Sequence, residues 1–132
     1  KKKIDYKNAK IAILGLSFKS DSGDIRFTPV LPFIKDLIDN GIKNIKIYDP
    51  LVTKEDQKKI KIKTLKSSYE VIKESDCVVI ATAHKQIKKL NIEYFVKLSK
   101  NGALILDGRR YFSKQEIIQI EKKGFIYKGI GR

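Results

Sequence analysis

A chain of 132 residues with 42% hydrophobic and 33% charged residues suits one domain with a proper core and is too apolar for disorder. No apolar run approaches the roughly 18 residues of a membrane span, Lys1-Lys2-Lys3 leads into no apolar signal segment, and a single cysteine (Cys77) with a single histidine (His84) excludes an internal disulfide and disfavours structural zinc. The net charge of +14 invites a nucleic-acid reading, but the lysines are scattered and no aromatics interleave with them, so a solvated surface on a cytoplasmic protein, without nucleic acid or membrane as partner, is expected.

Residues 1–9 are polar and basic and read as a linker remnant, leaving 10–132 as the domain. Lys10 to Leu14 form a first strand whose apolar run suits a buried parallel sheet. Gly15 stops it, and more than a dozen residues follow before helical spacing resumes near Pro29. Strand-to-helix loops usually run about 2–6 residues, so a long one is functional or disordered. Leu16, Phe18, Ile25 and Phe27 argue against disorder. Lys19 and Arg26 then stand at the C-terminal edge of a strand, where open α/β sheets bind ligands, and both suit an anion. The plain alternative is a long loop with solvated charges. Neither the Gly-x-Gly-x-x-Gly fingerprint nor a Walker lysine is present, so phosphate binding would rest on side chains.

A helix is expected from Pro29 to Asn40, capped by Thr28 and ended by Asn40-Gly41, with Pro32 delaying the regular turns. Ile45 to Tyr48 read as the second strand. Asp49 after it lies 34 residues beyond Gly15, too far for a ribose-binding acid at about 20, and reads as a turn or cap residue. Thr53 to Lys59 form a short helix, Lys61 to Leu65 an edge strand, and Ser67 opens a helix with Tyr69, Val71 and Ile72 inward. Cys77 to Ala81 make a central strand, with His84 in the exposed loop behind it. Asn91 to Leu98 form a helix and Ala103 to Leu106 a fifth strand. The capping box Ser113-x-x-Glu116 opens a last helix, closed by Gly124 before a strand at Phe125 to Tyr127. The fold class is α/β: a doubly wound, mostly parallel six-stranded sheet, Rossmann-like without the dinucleotide fingerprint.

Arg109 and Arg110 follow the fifth strand and should share the sheet edge with Lys19 and Arg26, four cations suited to a diphosphate. Alternation along an extended chain points the two arginines apart. The plain reading pairs one with Asp107 and leaves the other solvated.

The runs Gly15-Leu16-Ser17-Phe18-Lys19, Asp24-Ile25-Arg26 and Thr28-Pro29, followed by Tyr48-Asp49-Pro50, Asp76 to Thr82 and Asp107-Gly108-Arg109, resemble the C-terminal UDP-binding domain of the UDP-glucose/GDP-mannose dehydrogenase family. Thr28 and Ser22 depart from the usual serine and threonine. The Ala81-Thr82-Ala83-His84 run is similar to the UDP-N-acetylhexosamine branch, where UDP-glucose enzymes tend to tryptophan. The closing Tyr127 to Arg132 looks like archaeal-type members of the family, and taken together the resemblance is to archaeal-type UDP-N-acetylmannosamine dehydrogenases. The resemblance implies that Phe18, Lys19 and Arg109 bind the nucleotide sugar, and that Arg26 reaches an NAD held mainly by a separate N-terminal domain. It implies a homo-oligomeric parent enzyme that oxidises a sugar C6 alcohol in two NAD-dependent steps with a cysteine nucleophile elsewhere. Cys77, in a core-type strand, is not that nucleophile. The chain alone is expected to be inactive. UDP-glucose or UDP-N-acetylglucosamine as substrate, or a non-catalytic nucleotide-binding module, remain alternatives.

Overall fold

The computed structural model describes residues 8–17, 21–26, 28–82 and 84–129. Five of the expected strands form: β1 (Lys10–Leu14), β2 (Asn44–Tyr48), β3 (Cys77–Ile80), β4 (Leu104–Asp107) and β5 (Ile126–Gly129). They pair in parallel, in the order β2-β1-β3-β4-β5. β1 therefore lies between β2 and β3, and the strand order reverses beside it. That makes the C-terminal ends of β1 and β3 the topological switch point.

Period-two alternation assigns each strand residue to one of two cores. Ala12, Leu14, Val78, Ile80 and Ile105 face one cluster, which α3 (Ser68–Ile72), α5 (Ile92–Leu98) and α6 (Lys114–Lys122) close with Val71, Phe95 and Ile120. Ile11, Ile13, Ile47 and Val79 face the other, closed by Val30 and Ile34 of α1 (Val30–Asp39) and flanked by Ile60 of α2 (Lys54–Ile60). A short α4 (Lys85–Lys88), which the sequence did not signal, adds Ile87 to the first cluster.

One of the six expected strands, the edge strand at Lys61 to Leu65, does not form. Of residues 61–65, only Leu65 joins the sheet, by one parallel bridge to Tyr48 and a 2.7 Å bond from its N–H to the Ile47 carbonyl. Lys61 caps α2 in the left-handed region (φ 57°), so the chain is still leaving a helix where a strand should begin. Two further readings change. Tyr69 is 47% exposed, not inward, whereas Val71 and Ile72 are buried. Pro32 does not delay α1, because it occupies the first turn, where a backbone N–H has no intrahelical partner to lose. The N-cap of α1 falls at Pro29 rather than at Thr28, and Thr28, one residue earlier, still accepts the Val30 N–H on its Oγ1 at 3.2 Å.

Candidate functional site at the strand switch point

β1 ends at Gly15, and two constraints require glycine there. Its φ is +103°, and a Cβ would lie 2.4 Å from Thr82 Cβ and 2.7 Å from the Thr82 backbone nitrogen. The chain then turns under Asp49, which follows β2. Asp49 Oδ2 accepts the N–H of Leu16 at 2.8 Å and of Ser17 at 3.1 Å, while Oδ1 accepts the N–H of Leu51 at 3.0 Å. The turn role read from the sequence is present, but the same carboxylate also holds the loop after β1. At 2% exposure it is a buried anion satisfied by several donors.

His84 completes this cluster. Its Nε2 lies 3.0 Å from Asp49 Oδ2 and 2.9 Å from Ser17 Oγ, and its Nδ1 accepts the Asp21 N–H at 2.8 Å. The ring is fully buried, which corrects its reading as an exposed loop histidine. The reason is tertiary: two loops from other strands close over it. Thr82 Oγ1 donates to the Ser17 carbonyl at 2.6 Å, and Lys85 N–H donates to Asp21 Oδ1 at 2.8 Å, tying the same loop to the end of β3 and the start of α4.

Serine, histidine and aspartate together suggest a hydrolytic triad, but the connectivity is wrong for one. In a triad the nucleophile and the orienting acid bind opposite ring nitrogens. Here Ser17 and Asp49 share Nε2, and Ser17 is only 1% exposed. The cluster is scaffold. Cys77 is no nucleophile either: burial, with the nearby Asp76 adding to it, pushes its thiol up to about 12.

The second arm of the site is the turn after β4. Asp107, 1% exposed, accepts the N–H groups of Arg109 and Tyr111 on Oδ1, each at 3.0 Å, and of Phe112 at 3.2 Å on Oδ2. Tyr127 Oη donates to Oδ2 at 2.7 Å. Tyr111, whose hydroxyl donates to the carbonyls of Ile87 and Leu90, packs edge-on to Phe95 and Phe112 and braces the turn from below. Burial drives that phenol upward, so it remains a donor.

The four cations expected at this edge are placed as follows. Arg109 is exposed and its Nε donates to the Ala81 carbonyl at 2.8 Å, so its guanidinium lies over the end of β3. Arg26 is anchored elsewhere. Asp24 grips it, with Nε 3.0 Å from Oδ1 and Nη2 2.9 Å from Oδ2, on a loop whose Gly23 backbone packs against the Leu51 carbonyl beyond β2. The two arginines thus flank the switch point from opposite sides. Phe18 and Lys19 lie outside the described residues. Arg110 does not alternate with Arg109, because the chain has already bent at Gly108 and Arg110 takes a left-handed φ of 52°. Both arginines border one open groove of about 670 Å³, with Lys88, Asn91 and Tyr111. Sequence reasoning missed that Asp49, Asp107 and His84 act as organisers. An acid at the C-terminal end of an apolar strand was the available signal for the first two.

Comparison with known proteins agrees with this fold. Residues 12–114 match the model of the UDP-glucose/GDP-mannose dehydrogenase family, UDP binding domain. The chain belongs to that family. It is 36% identical over all 132 residues to the UDP-N-acetyl-D-mannosamine dehydrogenase of Pyrococcus horikoshii, covering 28% of that protein. It is 32% identical to the UDP-glucose 6-dehydrogenase of Rhizobium meliloti over 97% of this chain and 28% of the relative. Among solved structures, 96% of the chain superposes on 25% of the NDP-N-acetyl-D-galactosaminuronic acid dehydrogenase of Methanosarcina mazei (TM-score 0.83, 31% identity). Likewise, 98% superposes on 27% of the P. horikoshii enzyme (TM-score 0.76, 33% identity). The chain therefore spans little more than a quarter of the relatives it matches. Among the described residues no helix is long and apolar enough to cross a membrane.

Proposed function

We propose that this chain is the nucleotide-sugar-binding domain of an NAD-dependent UDP-sugar 6-dehydrogenase of the cytoplasm. In this reading the parent enzyme oxidises UDP-N-acetylmannosamine at C6 to its uronic acid in two steps. The observation that carries it is Arg109: the turn built on Asp107 presents a planar cation at the C-terminal edge of β3, beside the switch point where such sheets take ligands. Phe18 and Lys19 join it as substrate-binding residues. UDP-N-acetylmannosamine is preferred because of the P. horikoshii relative and the Ala81-Thr82-Ala83-His84 run. The R. meliloti relative supports UDP-glucose as the alternative.

The described residues do not form a dinucleotide cradle by themselves. Thr82 closes on Gly15, and Ser17 and His84 fill the space beside it. Arg26, exposed and held by Asp24, is the residue proposed to reach NAD, whose main site lies in a further domain of a homo-oligomeric parent.

Titration calorimetry of UDP and UDP-N-acetylmannosamine against this chain tests the reading. Arg109→Lys keeps the charge but loses the planar fork, and is expected to cost about 1.5–3 kcal/mol of binding. Arg110→Lys is expected to cost less than about 1 kcal/mol, because the family resemblance matches Arg109 and not Arg110 to the site. Equal losses would assign the ligand to the groove both arginines border, and no binding by the unmodified chain would remove the proposal. NADH formation by the chain alone is expected to be nil, and turnover above background would overturn the division of labour between domains.

A further inference from the structure

We propose that His84 is a positioning residue for the nucleotide site: through its Nδ1 it fixes the backbone of Asp21, which lies between β1 and α1. The inference rests on the reading above that this segment meets the nucleotide sugar.

The imidazole has no surface of its own, so it acts only through what it holds. A ring nitrogen that accepts a backbone amide carries no proton. The 2.8 Å bond from Asp21 N–H to Nδ1 therefore assigns the ring proton to Nε2, which faces Asp49 Oδ2 and Ser17 Oγ. One ring in one tautomer thus links the end of β2, the residues just after β1, and Asp21. The charged group that touches the ring is Asp49, on the Nε2 side; the Nδ1 side meets the Asp21 backbone amide, whose own carboxylate accepts the Lys85 N–H.

The two arms are not equivalent. Asp49 has further donors in Leu16, Ser17 and Leu51, so the Nε2 arm is one of several holding that carboxylate. The Nδ1 arm takes the amide of a residue at φ 59°, a conformation uncommon for a side-chain-bearing residue. Lys85 N–H binds the carboxylate of the same residue, so Asp21 is held at both its amide and its side chain. In the sequence, Phe18 and Lys19 fall between Ser17 and Asp21, the two anchored points.

Two substitutions separate the arms. Asn at 84 places an amide oxygen where Nδ1 stands and keeps the acceptor for Asp21. Gln reaches the Nε2 position, keeps a donor for Asp49 and loses that acceptor. With both variants folded, UDP affinity is expected to fall by about tenfold in His84→Gln and by no more than about twofold in His84→Asn. The Asp21 amide should lose its protection from hydrogen exchange only in the Gln variant. Long-range ¹⁵N–¹H spectra of the wild-type chain, which has one histidine, are expected to show the Nε2–H tautomer. An Nδ1–H tautomer, equal losses in the two variants, or the reverse order overturns the proposal. If neither variant folds, the unmodified chain decides it: an Nδ1–H tautomer, or an Asp21 amide that exchanges without protection, overturns the anchoring. Failure of the wild-type chain to bind UDP overturns the functional reading instead, while the tautomer and the Asp21 exchange still report on the strut.

Discussion

At Gly15 a backbone requirement and a packing requirement fall on one atom. Gly15→Ala meets both the positive φ and the Thr82 backbone, which cannot retreat without breaking the β1–β3 ladder. A loss of roughly 3 kcal/mol or more is expected in chemical denaturation. Gly41 separates the two effects: its φ is +89°, but a Cβ there would meet nothing within 4 Å. Gly41→Ala should cost only about 1 kcal/mol, and similar losses at the two sites would show that the Thr82 contact relaxes. Asp107 makes a parallel case for a buried carboxylate. Asp107→Asn puts an amide donor where the carboxylate accepts three N–H groups and a tyrosine hydroxyl, so about 2 kcal/mol should be lost. UDP affinity should fall with it as the Arg109 turn loosens.

Cys77 gives a pH dependence with a definite sign. Its thiol is raised from 9.0 to about 12 on folding. Below pH 9 both states are protonated and the group is silent. Between 9 and 12 the unfolded chain ionises while the folded one keeps its proton, so stability falls as the pH rises. Cys77→Val should flatten that part of the alkaline limb, measured by denaturation at stepped pH. An unchanged limb would mean that the tyrosines and lysines account for all of it.

At the scale of elements, the helices owe their starts to local chemistry. Thr53, Ser67, Asn91 and Ser113 each accept an N–H three residues on, and Ser113 with Glu116 forms the reciprocal box. Ser113→Ala is expected to cost about 1 kcal/mol of stability and to leave UDP binding unchanged, because α6 supports β5 rather than the switch point. A loss of binding in that variant would instead tie the helix to the Arg109 turn. The failed strand at 61–65 belongs to this scale too. Its alternating Ile and Lys satisfy the period of a strand, yet a left-handed cap at Lys61 uses up the residues that a ladder would need. Of these five residues only Leu65 bridges to β2, at Tyr48.

For the whole molecule, the charge of +14 is spread over one domain, so its field acts on any anion approaching the sheet edge. UDP binding is expected to weaken steadily as salt is raised in a calorimetric series, since exposed guanidiniums are screened. An affinity indifferent to salt would mean that neutral contacts dominate.

The sequence by itself determined the architecture. Apolar runs of strand length separated by helical spacing leave few ways to bury both faces of a sheet, and the caps sit within three residues of what they cap, so five strands and most helix starts were legible from local pattern. Family membership was legible in the same way, because its signature lies in contiguous runs such as Gly15 to Lys19 and Asp107 to Arg109. What only the tertiary structure decided is where side chains distant in sequence meet. His84 looked like a loop histidine because nothing near it in the chain signals that Ser17 and Asp49, 67 and 35 residues away, close over it. Arg109 and Arg110 looked extended because the backbone donors that bend them are bound by a buried carboxylate. Hydrogen bonds across such separations depend on strand order, and strand order is set by the packing of the whole sheet rather than by any stretch of sequence.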